Sequence, residues 1–250
     1  MTKTPLLLTA LGTLALVGYA QPTEINQSVV AQFSTSYTSQ GFPFIISQPG
    51  SYKLTSNLKV PAGLDGIDIN ADNVTLDLGG FRIIGTQTCT GSGITLVCTG
   101  LVGSANGIVS TSSANITVRN GSVLGFSTGV LLTGDGHLVE DVHARNNGVG
   151  IAVFNGVIRR DTANLNLVAG INAVSCTITD NAANNNRNDG IRAAESTVIQ
   201  NVANGNGADG LVISNGGLFG SNAFIGNGTA PIFNGGSFSQ NNNSCGLGPC

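Results

Sequence analysis

The chain has 250 residues, of which 41% are hydrophobic and only 9% are charged, and its net charge is -3. Its 10 Lys and Arg residues are spread along the sequence and form no basic run. Because neutralising phosphates needs clustered positive charge, we expect no nucleic acid partner.

Residues 1–20 have the features of a secretory signal peptide. Lys3 precedes an apolar stretch that starts at Leu6, and Gly18-Tyr19-Ala20 forms a small-x-small cleavage pattern before Gln21. The apolar stretch is short and interrupted by Thr and Gly, which does not favour a membrane anchor. We therefore predict an exported protein, secreted, periplasmic or at the cell surface, with no membrane span after signal cleavage.

The five cysteines predict two local disulfide bonds and one free thiol. Cys89 and Cys98 flank a short loop, and Cys245 and Cys250 would tie down the extreme C-terminus. An exported chain meets an oxidising compartment, in which such bonds persist. Cys176 is left over and falls in a column of small residues of the repeat, which predicts a packed free thiol rather than a nucleophile.

The order of segments predicts a single domain with atypical ends. Residues 21–41 are polar and aperiodic and predict a flexible lead-in, and 42–65 predict an N-terminal cap of strand, turn and strand. Residues 66–227 carry the repeating coils, with an insertion at 86–104, and 228–250 form a C-terminal cap or tail. Stacked repeats need such ends to close the core against water.

A period of about twenty residues organises the coil region. A glycine followed by an aliphatic residue recurs at Gly129, Gly150, Gly170, Gly190 and Gly210. Two columns of short polar residues keep the same period, namely Asn120, Asp141, Asp161, Asn181, Asn201 and Asn222, and Asn147, Asn166, Asn186, Asn206 and Asn227. A fixed short period means that each unit cannot bury its apolar face alone and must stack on its neighbours.

Three short strands joined by turns suit a coil of this length. A leucine-rich repeat would need several leucines per unit, and the unit from Gly170 to Asn186 has none. Calcium-binding nonapeptide rolls need a recurrent Gly-Gly-x-Gly-x-Asp motif, which is missing. We therefore predict an all-β protein, a monomeric parallel β-helix of about seven or eight coils.

In this fold equivalent residues of successive coils stack directly. Three inward columns are predicted, namely Ile151, Ile171, Ile191 and Leu211; Val153, Ala173, Ala193 and Ile213; and Leu138, Ile158, Ile178 and Val198. Asparagine columns are expected at the turns, where Asn tolerates left-handed backbone and can bond to the next coil.

Three segments and the Gly-Ile coils resemble secreted bacterial right-handed parallel β-helix repeat proteins of the pectate-lyase-like superfamily. The segments are QPGSYKL at 48–54, NVTLDLGGF at 73–81 and NITVRNG at 115–121. The resemblance covers the chain from about Phe42 to Cys250 and implies a right-handed helix. For function it is only an analogy of fold, because the superfamily includes polysaccharide lyases, hydrolases, epimerases and adhesins.

One group of residues could carry chemistry on acidic sugars, which needs carboxylates for Ca²⁺ or acid-base work and a basic residue. The candidates are His137, Glu140, Asp141, His143, Arg159, Arg160 and Asp161. The structural alternative is a ladder of alternating charges that stabilises strand pairing, formed by Arg119, Glu140, Arg160 and Asp180, with Asp161 beside Asp141 at the turns. The orientation of His143 is open: its own column suggests a small buried site, and the preceding column competes for that role. The members of the two columns are Ala163, Ala183 and Ala203, and Val142, Thr162, Ala182 and Val202.

We predict a non-catalytic exported protein whose polar lateral face contacts polysaccharide or a cell-surface glycan. The alternative is a carbohydrate-active enzyme of the lyase, hydrolase or epimerase type that uses the candidate cluster. The chain lacks the Asp-Pro-His-Asp string of alginate epimerases and the paired aspartates and Gly-His-Gly of polygalacturonases. No cofactor is expected, and Ca²⁺ only in the enzyme alternative. The two hypotheses differ in whether the candidate side chains converge in a groove or pair flat on a face.

Overall fold

The computed structural model describes residues 21–32, 41–101 and 103–246, and it consists almost entirely of short strands. In chain order these begin with β1 (Thr23–Ile25), β2 (Phe44–Ile46), β3 (Gly50–Leu54), β4 (Leu58–Lys59), β5 (Ile67–Ile69), β6 (Val74–Asp77), β7 (Arg82–Ile84) and β8 (Thr88–Thr90). The next are β9 (Val97–Thr99), β10 (Asn106–Ser110), β11 (Thr117–Leu124), β12 (Thr128–Leu132), β13 (His137–Arg145), β14 (Val149–Phe154), β15 (Gly156–Arg159) and β16 (Thr162–Asn164). The last are β17 (Ala169–Val174), β18 (Thr177–Thr179), β19 (Asp189–Ala194), β20 (Thr197–Ile199), β21 (Leu211–Ser214), β22 (Leu218–Gly220), β23 (Ile232–Gly235) and β24 (Phe238–Ser239). The described helices are α1 (Gln27–Gln32) and a single 3-10 turn (Gly93–Thr95).

The strands stack in parallel and wrap the chain into a solenoid with three faces. The first face is a nine-stranded sheet made of β2, β5, β10, β12, β14, β17, β19, β21 and β23. The second face consists of β1, β3, β6, β11, β13, β15, β18, β20, β22 and β24. The third face is formed by β4, β7, the C-terminal halves of β11 and β13, and β16. Beyond β16 it continues as single parallel bridges through Ala182, Val202 and Ala223 to Ser244.

The solenoid is longer than predicted, because both ends add strands to the stack. The first face has one strand per coil, which gives about nine coils instead of seven or eight. Residues 21–32, expected to belong to a flexible lead-in, instead form β1, which pairs with β3, and α1. In the predicted C-terminal cap, β23 and β24 pair with β21 and β22.

Columns of aliphatic side chains fill the interior. Two predicted columns are confirmed as buried register partners, namely Ile151, Ile171, Ile191 and Leu211, and Val153, Ala173, Ala193 and Ile213. The third predicted column contains Ile158, Ile178 and Val198 as expected, but Val139 precedes them in register instead of Leu138. Burial of these columns between coils is the main source of stability, because no single coil can cover its own apolar side.

Two ladders of mostly buried polar side chains hold the coils in register at the corners. The first ladder lies between the third and first faces and consists of Asn147, Asn166, Asn186, Asn206 and Asn227. The second ladder lies between the second and third faces and consists of Asp161, Asn181, Asn201, Asn222 and Asn243. In both, each side-chain Oδ1 accepts the backbone N–H of the preceding member at 2.9–3.0 Å. The residue before a ladder position is left-handed, for example Asn185 with φ 58° and Asp180 with φ 58°, which turns the chain sharply at the corner.

The insertion at 86–104 is a small hairpin closed by the predicted disulfide between Cys89 and Cys98, and its strands β8 and β9 are antiparallel. It lies along the corner between the third and first faces. Gly93 N donates to Asn185 O at 3.1 Å, Arg187 Nη1 to Leu96 O at 3.1 Å and Gln87 Nε2 to Asn146 O at 2.8 Å. The hairpin therefore binds the outside of several coils and borders the third face.

Several sequence predictions concern chain ends and single residues. Cys176 is buried and has no disulfide partner, as predicted for a packed free thiol. The signal peptide predicted at 1–20, and Cys250 of the predicted pair with Cys245, lie outside the described residues. Within the described ranges no helix is long and apolar enough to cross a membrane.

Candidate functional site

The register between the coil of Glu140 and the next coil differs by one residue from the predicted register. Glu140 is opposite Arg159, nineteen residues away, and not opposite Arg160. The coil between them is one residue shorter than the usual twenty, so Arg160 moves to the corner, where it bonds to Asp141. The predicted column of Arg119, Glu140, Arg160 and Asp180 is therefore wrong at the step from Glu140 to Arg160, whereas Arg119 lies opposite Glu140 as predicted.

An alternating charge ladder does exist, with different members. Asp77, Arg119, Glu140 and Arg159 are successive register partners on the second face. The Nη2 of Arg119 lies 3.4 Å from an oxygen of Asp77, and the Nη2 of Arg159 lies 2.8 Å from Oε2 of Glu140. Opposite charges on adjacent strands stabilise their pairing, so this ladder supports the stack.

Glu140, Asp141, Arg159 and Arg160 form one paired network at the corner between the second and third faces. The Nη2 of Arg160 lies 2.7 Å from Oε2 of Glu140 and 2.9 Å from Oδ2 of Asp141. Burial alone would raise the pKa of Glu140, but the hydrogen bonds and charges of Arg159 and Arg160 outweigh it and hold that pKa below its usual value. The hydrogen bond from Arg160 lowers the pKa of Asp141. Both carboxylates are held ionised and neutralised, and neither is poised to exchange a proton at neutral pH.

Asp161 is the first member of the second ladder and does not lie beside Asp141 as predicted. Its Oδ1 accepts the backbone N–H of Val142 at 2.7 Å. Its Oδ2 is buried and has no hydrogen-bond partner. Burial raises the pKa of Asp161 well above its usual value. The side chain points into the corner of the solenoid, out of reach of a ligand on the surface.

His137 is also an interior residue. It begins β13 with its ring buried, and neither ring nitrogen has a hydrogen-bond partner in the described structure. Burial lowers the pKa of His137. Its register partner in the next coil is Gly156, and Cys176 follows in the coil after that. The column of Cys176 therefore contains His137, whereas the sequence predicted a column of small residues.

His143 points outward, which settles its orientation. Its register partners are Ser122 and Thr162, while the neighbouring Ala144 faces the interior opposite Ala163. The imidazole therefore lies on the surface of the third face. Of the seven candidates, His143 alone lies on the lateral surface of that face.

His143 lies in a shallow groove on the third face, with a volume of about 400 Å³. The groove is lined by Arg82, Ser122, Leu124, His143, Arg145, Thr162, Asn164 and Leu165. Arg82, Ser122, His143 and Thr162 are successive register partners and form one column along the helix axis. Beside it, Leu124, Arg145 and Asn164 form a second column.

The groove is basic, and no ion pair within the described part of the chain neutralises its positive charges. Arg82 and Arg145 form no ion pair with any described residue. No carboxylate is among the residues that line the groove. Ser122 and Thr162 add hydroxyl groups, and Asn164 adds an amide. This combination can bind an anion and hydrogen-bond to hydroxyl groups around it.

Arg82 was not among the sequence candidates, because it precedes the insertion at 86–104. The insertion breaks the twenty-residue period. The number of residues between Arg82 and Arg145 therefore does not indicate whether their side chains are close in space. Folding places Arg82 two strands from His143 on the third face. The sequence still indicated that the coils resume after the insertion, because Gly66-Ile67 and Gly107-Ile108 are about two periods apart.

A second depression, of about 280 Å³, lies on the first face between β5 and β10. It contains Asp65 and Asp68, and burial and the charge of Asp65 raise the pKa of Asp68. Asp65 Oδ1 is occupied by the backbone N–H and the Nδ2 of Asn106. Among the described residues no three His, Cys, Asp or Glu side chains form a group that could hold a metal ion.

The chain was compared with protein families, curated proteins and solved structures. No family model and no curated protein matches it. The A-module of mannuronan C-5 epimerase AlgE4 from Azotobacter vinelandii superposes with a TM-score of 0.50 at 15% identity, over 78% of this chain and 68% of that one. The AlgE6 A-module from the same organism has a TM-score of 0.42 at 14% identity, over 74% of this chain and 71% of that one.

A third structure, the enzymatically active domain of tailspike protein 2 from bacteriophage CBA120, has a TM-score of 0.32 at 14% identity. The superposition covers 81% of this chain and 38% of the tailspike chain. At such identities a similarity establishes the fold and leaves the activity open. With its parallel faces and its likeness to the AlgE4 module, the chain has a right-handed parallel β-helix fold.

Proposed function

We propose that this protein is an exported, non-catalytic β-helix that binds an anionic polysaccharide in the groove of the third face. The observation that carries the proposal is the pair Arg82 and Arg145, which line the groove without an ion pair in the described structure. Guanidinium groups bind carboxylates and sulfates through two parallel hydrogen bonds. An anionic ligand would supply the charge that the protein does not.

The neutral side chains of the groove suit the rest of a sugar. Ser122 lies between Arg82 and His143 in the first column, Thr162 follows His143, and Asn164 follows Arg145 in the second column. Hydroxyl and amide groups donate and accept hydrogen bonds with sugar hydroxyls. Since successive coils are about 4.8 Å apart, these groups recur along the axis and suit an extended polymer.

The geometry of the other candidates supports binding rather than catalysis. Acid-base chemistry needs a titratable group within hydrogen-bond reach of the substrate. Glu140 and Asp141 are engaged by Arg159 and Arg160 outside the groove. The remaining candidate carboxylate, Asp161, is buried.

Two further observations support an exported polysaccharide binder. The disulfide between Cys89 and Cys98 is of a kind that persists in oxidising compartments. The similar AlgE4 module is named for its action on mannuronan, a polysaccharide. The likeness supports a carbohydrate partner by analogy of fold.

The enzyme alternative rests on His143. It lies in the groove on the same strand as Arg145, where a base could abstract a proton from a sugar whose carboxylate is held by the arginines. In this alternative His143 is the base, and Ca²⁺ would be an added requirement. A turnover measurement separates it from the binding proposal.

Binding is tested with purified protein against a polyuronate and a neutral glucan at low salt, by calorimetry. We expect the polyuronate to bind, the glucan not to bind, and Arg145→Gln to weaken binding roughly tenfold through loss of a charge-assisted contact. Arg160→Gln is the matched control, because Arg160 is already paired with Glu140 and Asp141 outside the groove. Equal weakening by both variants, or no binding of the polyuronate, would reject the proposal.

Turnover is tested on the same polymers, with and without Ca²⁺, by unsaturated-uronate absorbance and new reducing ends. We expect no product. Product that is lost in His143→Gln and retained in Arg160→Gln, with both variants folded, would establish the enzyme alternative.

A further inference from the structure

The second column of the groove continues beyond the groove as a row of asparagines on the third face. Arg145 is followed in register by Asn164, and Asn184 and Asn204 succeed it in the next two coils. The Oδ1 of each asparagine accepts a backbone N–H of the following coil, from Asn184 at 2.7 Å, from Asn204 at 2.7 Å and from Ile225 at 2.6 Å. This surface asparagine row therefore extends the groove toward the C-terminal coils.

The amide nitrogens of the surface asparagine row are open to a ligand. The Nδ2 atoms of Asn164, Asn184 and Asn204 form no hydrogen bond with a described residue, and none of them is among the buried polar atoms that lack a partner. They are therefore accessible to solvent. The buried first ladder differs, because Asn186 donates from its Nδ2 to Ala163 O at 3.1 Å. Each coil of the row thus presents an N–H donor that has no acceptor within the described structure.

The donors of the row are held in place before a ligand arrives. The bond from the next coil to Oδ1 fixes the plane of each amide and the direction of its N–H groups. The donors recur once per coil, at a spacing of about 4.8 Å. Preorganised groups lose less conformational entropy on binding than mobile side chains do. The outward column beside the row consists of Ala182, Val202 and Ala223, whose short side chains leave the amides accessible.

We propose that the surface asparagine row extends the groove and binds the carboxylates of further uronate sugars in the same polysaccharide chain. An amide N–H donates and a carboxylate only accepts, so a row of donors without acceptors fits a polymer that carries an acceptor on every sugar. From Arg145 to Asn204 the site spans three coil spacings, or about 14 Å. The proposal rests on the proposed function, because the arginines anchor the chain. It adds that several consecutive uronates are recognised together.

The test compares digalacturonate with hexagalacturonate by calorimetry, at about 0.1 M ionic strength, where the Debye length is about 10 Å. The short oligomer fills only the groove, whereas the long one also reaches Asn204. We expect hexagalacturonate to bind roughly tenfold more tightly than digalacturonate, since one additional hydrogen bond to a carboxylate is enough for that factor.

Asn204→Asp should abolish this gain with length and leave the binding of digalacturonate unchanged. The new side chain keeps an oxygen for the N–H of Ile225, but it replaces the Nδ2 donor by an acceptor and repels a carboxylate. At about 14 Å from the coil of Arg145, its charge is screened from a ligand in the groove. Asn172→Asp is the matched control, because it adds the same charge on the first face, where Asn172 is the register partner of Arg192. Thermal unfolding verifies that both variants are folded.

The outcomes distinguish the two proposals. Failure of both oligomers to bind to the wild-type protein would refute the proposed function. Binding of both without a gain from length would refute the extended site alone. A gain that persists in Asn204→Asp, or that is lost equally in Asn172→Asp, would also refute the extended site, because the row would then contribute no contact to the longer chain.

Discussion

The two polar ladders differ by one residue, and the difference shows what a ladder position requires. In the first ladder every member is Asn, and Asn166, for example, donates from Nδ2 to Ala144 O at 3.1 Å while its Oδ1 accepts the N–H of Asn147 at 3.0 Å. The second ladder begins with Asp161. Its Oδ1 plays the same accepting role, but Oδ2, at the place of the donor, has no partner.

A ladder position therefore requires one acceptor and one donor, and a carboxylate supplies a donor only when it is protonated. Burial raises the pKa of Asp161 well above its usual value; the charges of Asp141 and Glu140 act in the same direction, against the bond from Val142 and the charge of Arg160. The neutral acid is favoured, and its O–H can replace the amide N–H. The comparison predicts that the all-Asn ladder is the more stable form.

The largest effect is expected from removing a ladder side chain. Asn186→Ala would remove the partner of the Asn166 N–H, the donor to the carbonyl of Ala163 and one of the two acceptors of Asn166 Nδ2, which would keep its bond to Ala144 O. Buried polar groups without partners are unfavourable, so we expect a loss of roughly 3–5 kcal/mol in the free energy of unfolding. Urea unfolding measures it.

Asn184→Ala is the matched control in the same coil. Asn184 belongs to a surface row in which its Oδ1 accepts the N–H of Asn204 at 2.7 Å, and it is only partly buried. Water can replace that bond, so about 1 kcal/mol is expected. Equal losses in the two variants would show that burial of the ladder does not matter.

A smaller effect of opposite sign is expected from Asp161→Asn. The substitution places Nδ2 where the unpartnered oxygen lies. The next three members of the second ladder donate from this atom to a backbone carbonyl of the preceding coil, as Asn181 does to Ile158 O at 3.0 Å. We expect stability at pH 7.5 to increase by about 1–3 kcal/mol. Asn181→Asp is the reverse control and should destabilise the protein at that pH.

The gain should depend on pH with a defined sign. The unfolded chain loses the Asp161 proton near the usual pKa of 3.8, while the folded chain keeps it up to its raised pKa. Between these values wild-type stability falls by up to about 1.4 kcal/mol per pH unit relative to Asp161→Asn. The difference between the two proteins should therefore shrink when unfolding is measured at pH 4. A constant difference at both pH values would mean that Asp161 is not a protonated ladder member.

The repeat allowed much of the fold to be predicted, because stacking makes equivalent residues neighbours. The first ladder, from Asn147 to Asn227, and the columns of Ile151 and Val153 follow directly from the period. The register failed at one place. Glu140 and Arg159 are nineteen residues apart, and an even period of twenty placed Arg160 there instead.

A one-residue deletion in a coil leaves little trace in the sequence, because corner positions accept several residue types. Gly136, Asn155 and Ser175 occupy equivalent corners, and all have positive φ. The groove was harder to predict, since Arg82 is separated from its register partner Ser122 by the inserted hairpin. Only the folded chain shows which basic residues lack a partner.

The smallest loss of stability is expected from substitutions in the network of ion pairs at the corner. This network contrasts with the arginines of the groove, which form no ion pair with any described residue. The side chain of Glu140 is 11% exposed and bonds to Arg159 and Arg160, so Glu140→Gln should lower stability by about 1 kcal/mol at low salt. Asp141→Asn should change it less, because that side chain is 50% exposed and screened by solvent. Unfolding in low and high salt measures both. Since neither residue lines the groove, the affinity for polyuronate should not change in either variant. A large loss of affinity in Glu140→Gln, with stability retained, would place the binding site at the corner instead.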